Sequence, residues 1–88
     1  MAGLRAAIRH NRVIRFTYEG RNYEVEPHAL GRHPVTGVFQ VTAWIRKDPG
    51  GLPPAWGSFD YWKMRGIDVM PDIFLPRLAN SPPLALAG

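Results

Sequence analysis

The chain has 88 residues, no cysteine, 45% hydrophobic side chains and a formal net charge of +4, which describes one small domain with a compact apolar core. The lack of cysteine excludes disulfides, thiolate metal sites and thiol nucleophiles. Three Trp, three Tyr and four Phe are too much apolar surface for a disordered segment.

Residues 4–11 read as a short helix. Leu4, Ala7 and Ile8 share one face, Arg5, Arg9 and Arg12 lie toward the other, and Asn11 is a stop signal. Two turns are marginal alone, so this helix is expected to pack on the rest of the chain. Residues 13–18 alternate, with Ile14, Phe16 and Tyr18 on one side and Val13, Arg15 and Thr17 on the other. That is the pattern of a half-buried strand. Glu19-Gly20-Arg21-Asn22 makes a turn, and Tyr23 and Val25 begin a second strand that completes a hairpin. Pro27 has no amide hydrogen to donate and is expected to end or edge that strand. Residues 28–37 read as a loop. In the strongly strand-like segment 38–45, Phe39, Val41, Ala43 and Ile45 form an apolar core face, with Gln40, Thr42 and Trp44 opposite.

Residues 46–54 form a Gly/Pro-rich loop. Residues 56–63 read as a fourth strand and 66–70 as a fifth, closed by Pro71, with Ile73-Phe74 packing back over the end. Aromatic residues fall on both sides of the fourth strand, Phe59 and Tyr61 against Trp62. Both faces therefore need cover, from the helix, the tail or another chain, and a homodimer or a protein partner is expected. One helix followed by about five strands with hairpin-length connections predicts a mostly β fold, a small barrel or a strongly bent sheet. The domain is expected to span residues 1–75, and residues 76–88 to form a Pro-rich, flexible tail.

Catalytic constellations are missing. No Gly-x-Ser-x-Gly turn surrounds Ser58 or Ser81, and Gly50-Gly51 leads into Leu-Pro-Pro, unlike a phosphate loop. Glu24 and Glu26 alternate on an outer strand face, where solvation outweighs an acid/base pair. His10, His28 and His33 have no acidic or thiol companion at ligand spacing, so neither a metal nor a cofactor is expected. His28 reads as a half-buried packing residue whose ring nitrogen bonds the backbone. The chain is expected not to be an enzyme. Arg5, Arg9 and Arg12 break up the N-terminal stretch and no apolar run reaches spanning length, so the expected location is the cytoplasm, with no membrane contact.

The basic surplus is almost entirely arginine, whose planar donor fork suits phosphate or carboxylate. Arg32 and His33 lie in the 31–34 loop, and Gln40, Thr42, Trp44 and Arg46 follow one another along the non-core face of the third strand. Hydrogen-bonding groups, a stacking surface and charge-assisted donors in one place fit a small anionic or nucleotide-like ligand. The competing reading is that Trp44 only covers the outer surface.

Four segments resemble the WYL domain family. Leu4-x3-Ile8 followed by Val13-Ile14-Arg15-Phe16-Thr17-Tyr18 is similar to its helix and first strand, and Val25-Glu26-Pro27-His28-Ala29-Leu30 to its Pro-aromatic-x-Leu step. Phe39-Gln40-Val41-Thr42-Ala43-Trp44 stands where the signature strand falls, and Phe59-Asp60-Tyr61-Trp62-Lys63-Met64 resembles the later strand. The signature triplet is Phe39-Gln40-Val41 here and lacks the central Tyr. His28 stands where an aromatic is commoner, and Gly57 or Ser58 replaces an Arg. The resemblance implies an SH3-like or Sm-like barrel and a ligand-sensing, regulatory role of the kind WYL domains play in bacterial transcription regulators. It implies an anionic, nucleotide-like ligand and action through a partner protein, since the chain has no room for a helix-turn-helix. Two alternatives accompany it: a structural interaction or dimerisation module without ligand, and a single-stranded nucleic-acid binder.

Overall fold

The computed structural model describes residues 2–77. It opens with helix α1 (Ala2–Arg9), whose buried residues Leu4 and Ala7 lie one turn apart, as an apolar helix stripe requires. Asn11 takes a left-handed conformation with φ 56°, which Asn adopts more readily than most side chains, and the chain turns into a strand. The strands are β1 (Arg12–Tyr18), β2 (Arg21–Arg32), β3 (Phe39–Lys47), β4 (Ala55–Asp60) and β5 (Met64–Ile73). They form one antiparallel sheet of five in the order β4-β3-β2-β1-β5.

The expected alternation decides the inner face. Ile14 and Phe16 from β1, Val25 from β2, Val41 and Ala43 from β3, Phe59 from β4 and Met64 from β5 join Leu4 and Ala7 in one core. Phe59 is its aromatic hub, with ring centroids 5.0 Å from Phe16 and from Tyr18 and 5.1 Å from Tyr23. β1 and β4 are separated in the sheet by β2 and β3, about 14 Å if the sheet were flat. Yet the Asp60 amide in β4 donates to the Tyr18 hydroxyl in β1 at 3.0 Å. The sheet therefore curls around the core.

The link between the two edge strands makes the same demand. β4 and β5 are joined only by a 3-10 turn of 3 residues, Tyr61–Lys63. Such a turn advances about 6 Å, whereas the edges of a flat five-stranded sheet stand about 19 Å apart. No ladder joins β4 to β5 among the described residues, so the sheet is curled but not closed by hydrogen bonds into the expected barrel. At Gly57 a Cβ would come 2.7 Å from Ile45 Cδ1, so a larger residue there requires the Ile45 side chain to shift.

Three expectations need correction. Pro27 does not end β2, which continues to Arg32 and absorbs the first part of the expected loop. The β2–β3 register slips between Pro27/Ala43 and Ala29/Thr42, so the residue without an amide hydrogen sits beside a bulge, where the ladder is interrupted anyway. The remaining turn is tight: His33 N–H donates to Val38 O at 2.8 Å and Gly37 N–H to His33 O at 2.9 Å. The fourth strand stops at Asp60, because the chain must turn there to cross to the opposite edge. Pro71 does not close β5, which runs from Met64 to Ile73. β5 is an edge strand, where a proline is tolerated on the unpaired side. Phe74 is buried and its N–H bonds Asn11 O at 2.9 Å, while Ile73 is exposed, so only Phe74 packs back. Residues 78–88, most of the expected tail, lie outside the described residues.

Because Phe59 touches three other rings, Phe59→Ala is expected to destabilise the domain by about 3–5 kcal/mol, and Phe59→Leu by less than about 2 kcal/mol. Urea unfolding of both variants checks this.

Candidate functional site

The outer face of β2, β3 and β4 carries a buried charge. Register places Glu26 opposite Trp44 and Trp44 opposite Trp56. Glu26 is 5% exposed, and a carboxylate that deep requires partners. It has two: Arg77 Nε lies 3.2 Å from Oε1, and Arg46 Nε lies 3.6 Å from Oε2. The Arg77 guanidinium also stands over the Trp44 ring, 4.1 Å from its centroid, within cation–π range.

His28, the residue at the bulge, completes the group. Its Nδ1 is 2.8 Å from Glu26 O, and its Nε2 accepts the Arg77 N–H at 3.0 Å. A carbonyl can only accept, so Nδ1 carries the hydrogen and Nε2 the lone pair. The half-buried packing role with a backbone bond is the one expected for His28. Its ring lies 4.8 Å from Trp56 and 5.0 Å from Phe74, and Trp56 is 5.5 Å from Trp44. The chain's own C-terminal segment thus covers this face, while Trp62 stays 59% exposed. Trp56 Nε1 is buried without a hydrogen-bond partner among the described residues.

The six residues singled out from sequence divide between two places. Trp44 and Arg46 belong to the Glu26 cluster. Arg32, His33, Gln40 and Thr42 line a hollow of about 330 Å³ with Leu30 among its walls. Several of them also hold the local structure: His33 Nδ1 accepts the Val35 and Thr36 amides at 3.1 and 3.2 Å. Gln40 Nε2 donates to Asp60 Oδ1 at 3.0 Å, and the Arg32 guanidinium lies 4.7 Å from the Phe39 ring centroid.

A second hollow, of about 320 Å³, is lined by Arg5, Ile8, Arg9 and Leu30. Leu30 is named in both, but the two lie on opposite faces of β2: Leu30 pairs with the core residue Val41 and packs toward α1, whereas Ala29, Gly31, Gln40 and Thr42 alternate with that pair on the outer face. Arg5 and Arg9 therefore line the inner hollow and Arg32 and His33 the outer one, with no carboxylate among the lining residues of either. The hollows over β1 are different, since Asp68 or Glu24 lines each of them beside Arg15. Arg5 and Arg9 are not among the ligand residues expected from the sequence, which sets them on the helix face away from Leu4, Ala7 and Ile8. Their i,i+4 spacing was the available signal.

Among the described residues no group of three or more His, Asp or Glu is placed to hold a metal ion, and no helix is long and apolar enough to cross a membrane. No family model, curated protein or solved structure matches the chain.

Glu26 joins two arginines, so removing its charge has a larger effect than removing either of them. Glu26→Gln is expected to lower stability by about 1–3 kcal/mol. Arg46→Ala should cost less than about 1 kcal/mol, because Arg46 is partly solvated and Arg77 remains. Chemical denaturation of the two variants gives the comparison.

Proposed function

We propose that the domain is a WYL-like sensory module that binds a small anionic or nucleotide-like ligand in the outer hollow of Arg32, His33, Gln40 and Thr42 and signals through a partner protein, in a regulatory role such as transcription control. The carrying observation is the lining: a guanidinium, an imidazole and two neutral hydrogen-bonding side chains share one hollow, with no carboxylate among its lining residues. Arginine forks bind phosphate or carboxylate oxygens in pairs, and Gln40 and Thr42 add neutral hydrogen-bonding groups for orientation. The order of one helix followed by five strands, with the two edges tied by a single short turn, supports reading the curled sheet as an SH3-like or Sm-like barrel. Arg46 and Trp44, engaged with Glu26 and Arg77, take no part in this ligand site.

A second reading, an interaction or dimerisation module without ligand, is favoured by the exposure of Trp62 and, along the edge strand β5, of Val69 and Ile73. A single-stranded nucleic-acid binder is the third, and salt separates it from the first. Phosphate-backbone binding weakens steeply and linearly in log salt, with a slope of about −0.7 per phosphate contacted.

Calorimetric titration with ATP and with inorganic pyrophosphate is expected to show binding that Arg32→Ala weakens about tenfold or more and that Arg9→Ala, in the other hollow, leaves unchanged, both at unchanged melting temperature. No binding of either probe at millimolar concentration, or an affinity unmoved by Arg32→Ala, would overturn the reading. Binding of a single-stranded oligonucleotide in preference to both probes, with the steep salt slope, would replace it by the third.

A further inference from the structure

Arg77 reaches the outer face from a segment with no ladder of its own, since residues 74–77 follow β5 in neither helix nor strand. Phe74 is buried and bonded to Asn11 O, but Leu75 is 88% exposed. Among the described residues the segment is therefore fixed at Phe74 and, beyond it, through Arg77.

Three groups receive Arg77: the Glu26 carboxylate, the Trp44 ring and His28 Nε2. Each is held by a contact in which Arg77 has no part. Arg46 pairs with Glu26 at 3.6 Å, the Trp56 ring packs edge-on to Trp44 at 5.5 Å, and Glu26 O fixes His28 through Nδ1 at 2.8 Å. If Arg77 withdrew, the carboxylate would still be paired and the rings still braced. The slot is preformed, and a preformed site spares its occupant the ordering of the receptor.

Its chemistry is specific. A buried carboxylate beside an aromatic face accepts a planar cation that can stack and donate at once, which a guanidinium does and an ammonium does poorly. The acceptor at His28 takes a main-chain N–H, so the slot reads an arginine together with its backbone. Trp56, lying against both His28 and Trp44, also keeps a buried indole N–H without an acceptor among the described residues, a donor the slot could offer an occupant.

We infer that this slot is a docking site for an arginine carried on an extended segment of a partner protein, and that Arg77 is its tethered intramolecular competitor. The slot shares no lining residue with the hollow of Arg32 and His33, so this inference and the anion-binding reading fail independently. A partner's arginine must outcompete a tether whose effective concentration is on the order of millimolar, and release of Arg77 frees residues 75–77 without breaking the sheet.

The test is titration of the full chain and of its Arg77→Ala variant with the peptide acetyl-Leu-Pro-Arg-amide, followed by the tryptophan indole NMR signals. The peptide is expected to bind the variant about tenfold or more tightly than the unaltered chain. A peptide with citrulline in place of arginine, similar in shape but uncharged, should bind at least about tenfold more weakly. Adding Glu26→Gln to the variant should abolish binding. Equal affinity for the arginine and citrulline peptides, or no binding up to about 10 mM, above the tether's effective concentration, would overturn the inference. Should Arg77→Ala fail to fold by circular dichroism, the unaltered chain decides. Arginine-dependent shifts of the Trp44 and Trp56 indoles at that peptide concentration support displacement, and unmoved signals refute it.

Discussion

The 3-10 turn Tyr61–Lys63 imposes the constraint on which the architecture rests. It ties together the two edge strands of a five-stranded sheet with 3 residues, and the sheet can obey only by curling. The curl gives an 88-residue chain an enclosed core, with rings from β1, β2 and β4 meeting around Phe59 and α1 laid over them. It also sets the outer surface, since the bulge at His28 lies along the bent β2 and redirects the side chains on either side of it. The Glu26 cluster owes its position to that bulge.

Much of this was legible because a period of two is a local property. The alternation in β1, the turn at Glu19-Gly20 and the apolar face of β3 each follow from near neighbours, and Val41 and Ala43 are buried as their register demands. What the sequence concealed depended on distant partners. Pro27 argues for a strand end when taken alone, and only the slipped pairing with β3 makes room for it within β2. The aromatic run through Trp62 continues the strand signal past Asp60, although the chain has to turn there to reach the far edge. β5 offers weak alternation because little of it is covered on either face, Met64 alone among its residues being buried.

The candidate sites show the same division. Arg32, His33, Gln40 and Thr42 line one hollow, since a single turn and a single strand supply them. Arg9 and Arg5 line another, on the side where α1 packs beside Leu30. Glu26 was rightly assigned to the outer face and wrongly taken as solvated, for its burial comes from Arg77, 51 positions away. Two contrasting charge environments thus lie on the outer face: a hollow lined by Arg32 and His33 with no carboxylate among its lining residues, and a buried acid paired with two arginines.

Pro71 has a consequence for the crowded conditions in which such a chain must persist. A curled sheet without a closing ladder keeps two open edges, and an open edge is a template on which another copy can add a strand, the first step toward fibrous aggregates. β4 limits the hazard by being only 6 residues long. β5 has 10 residues and exposes Val69 and Ile73, but Pro71 removes a donor between them, with Asp68 and Asp72 adding like charge that repels a second copy in register. The residue that obscured the strand in the sequence is thereby a safeguard against its unlimited growth.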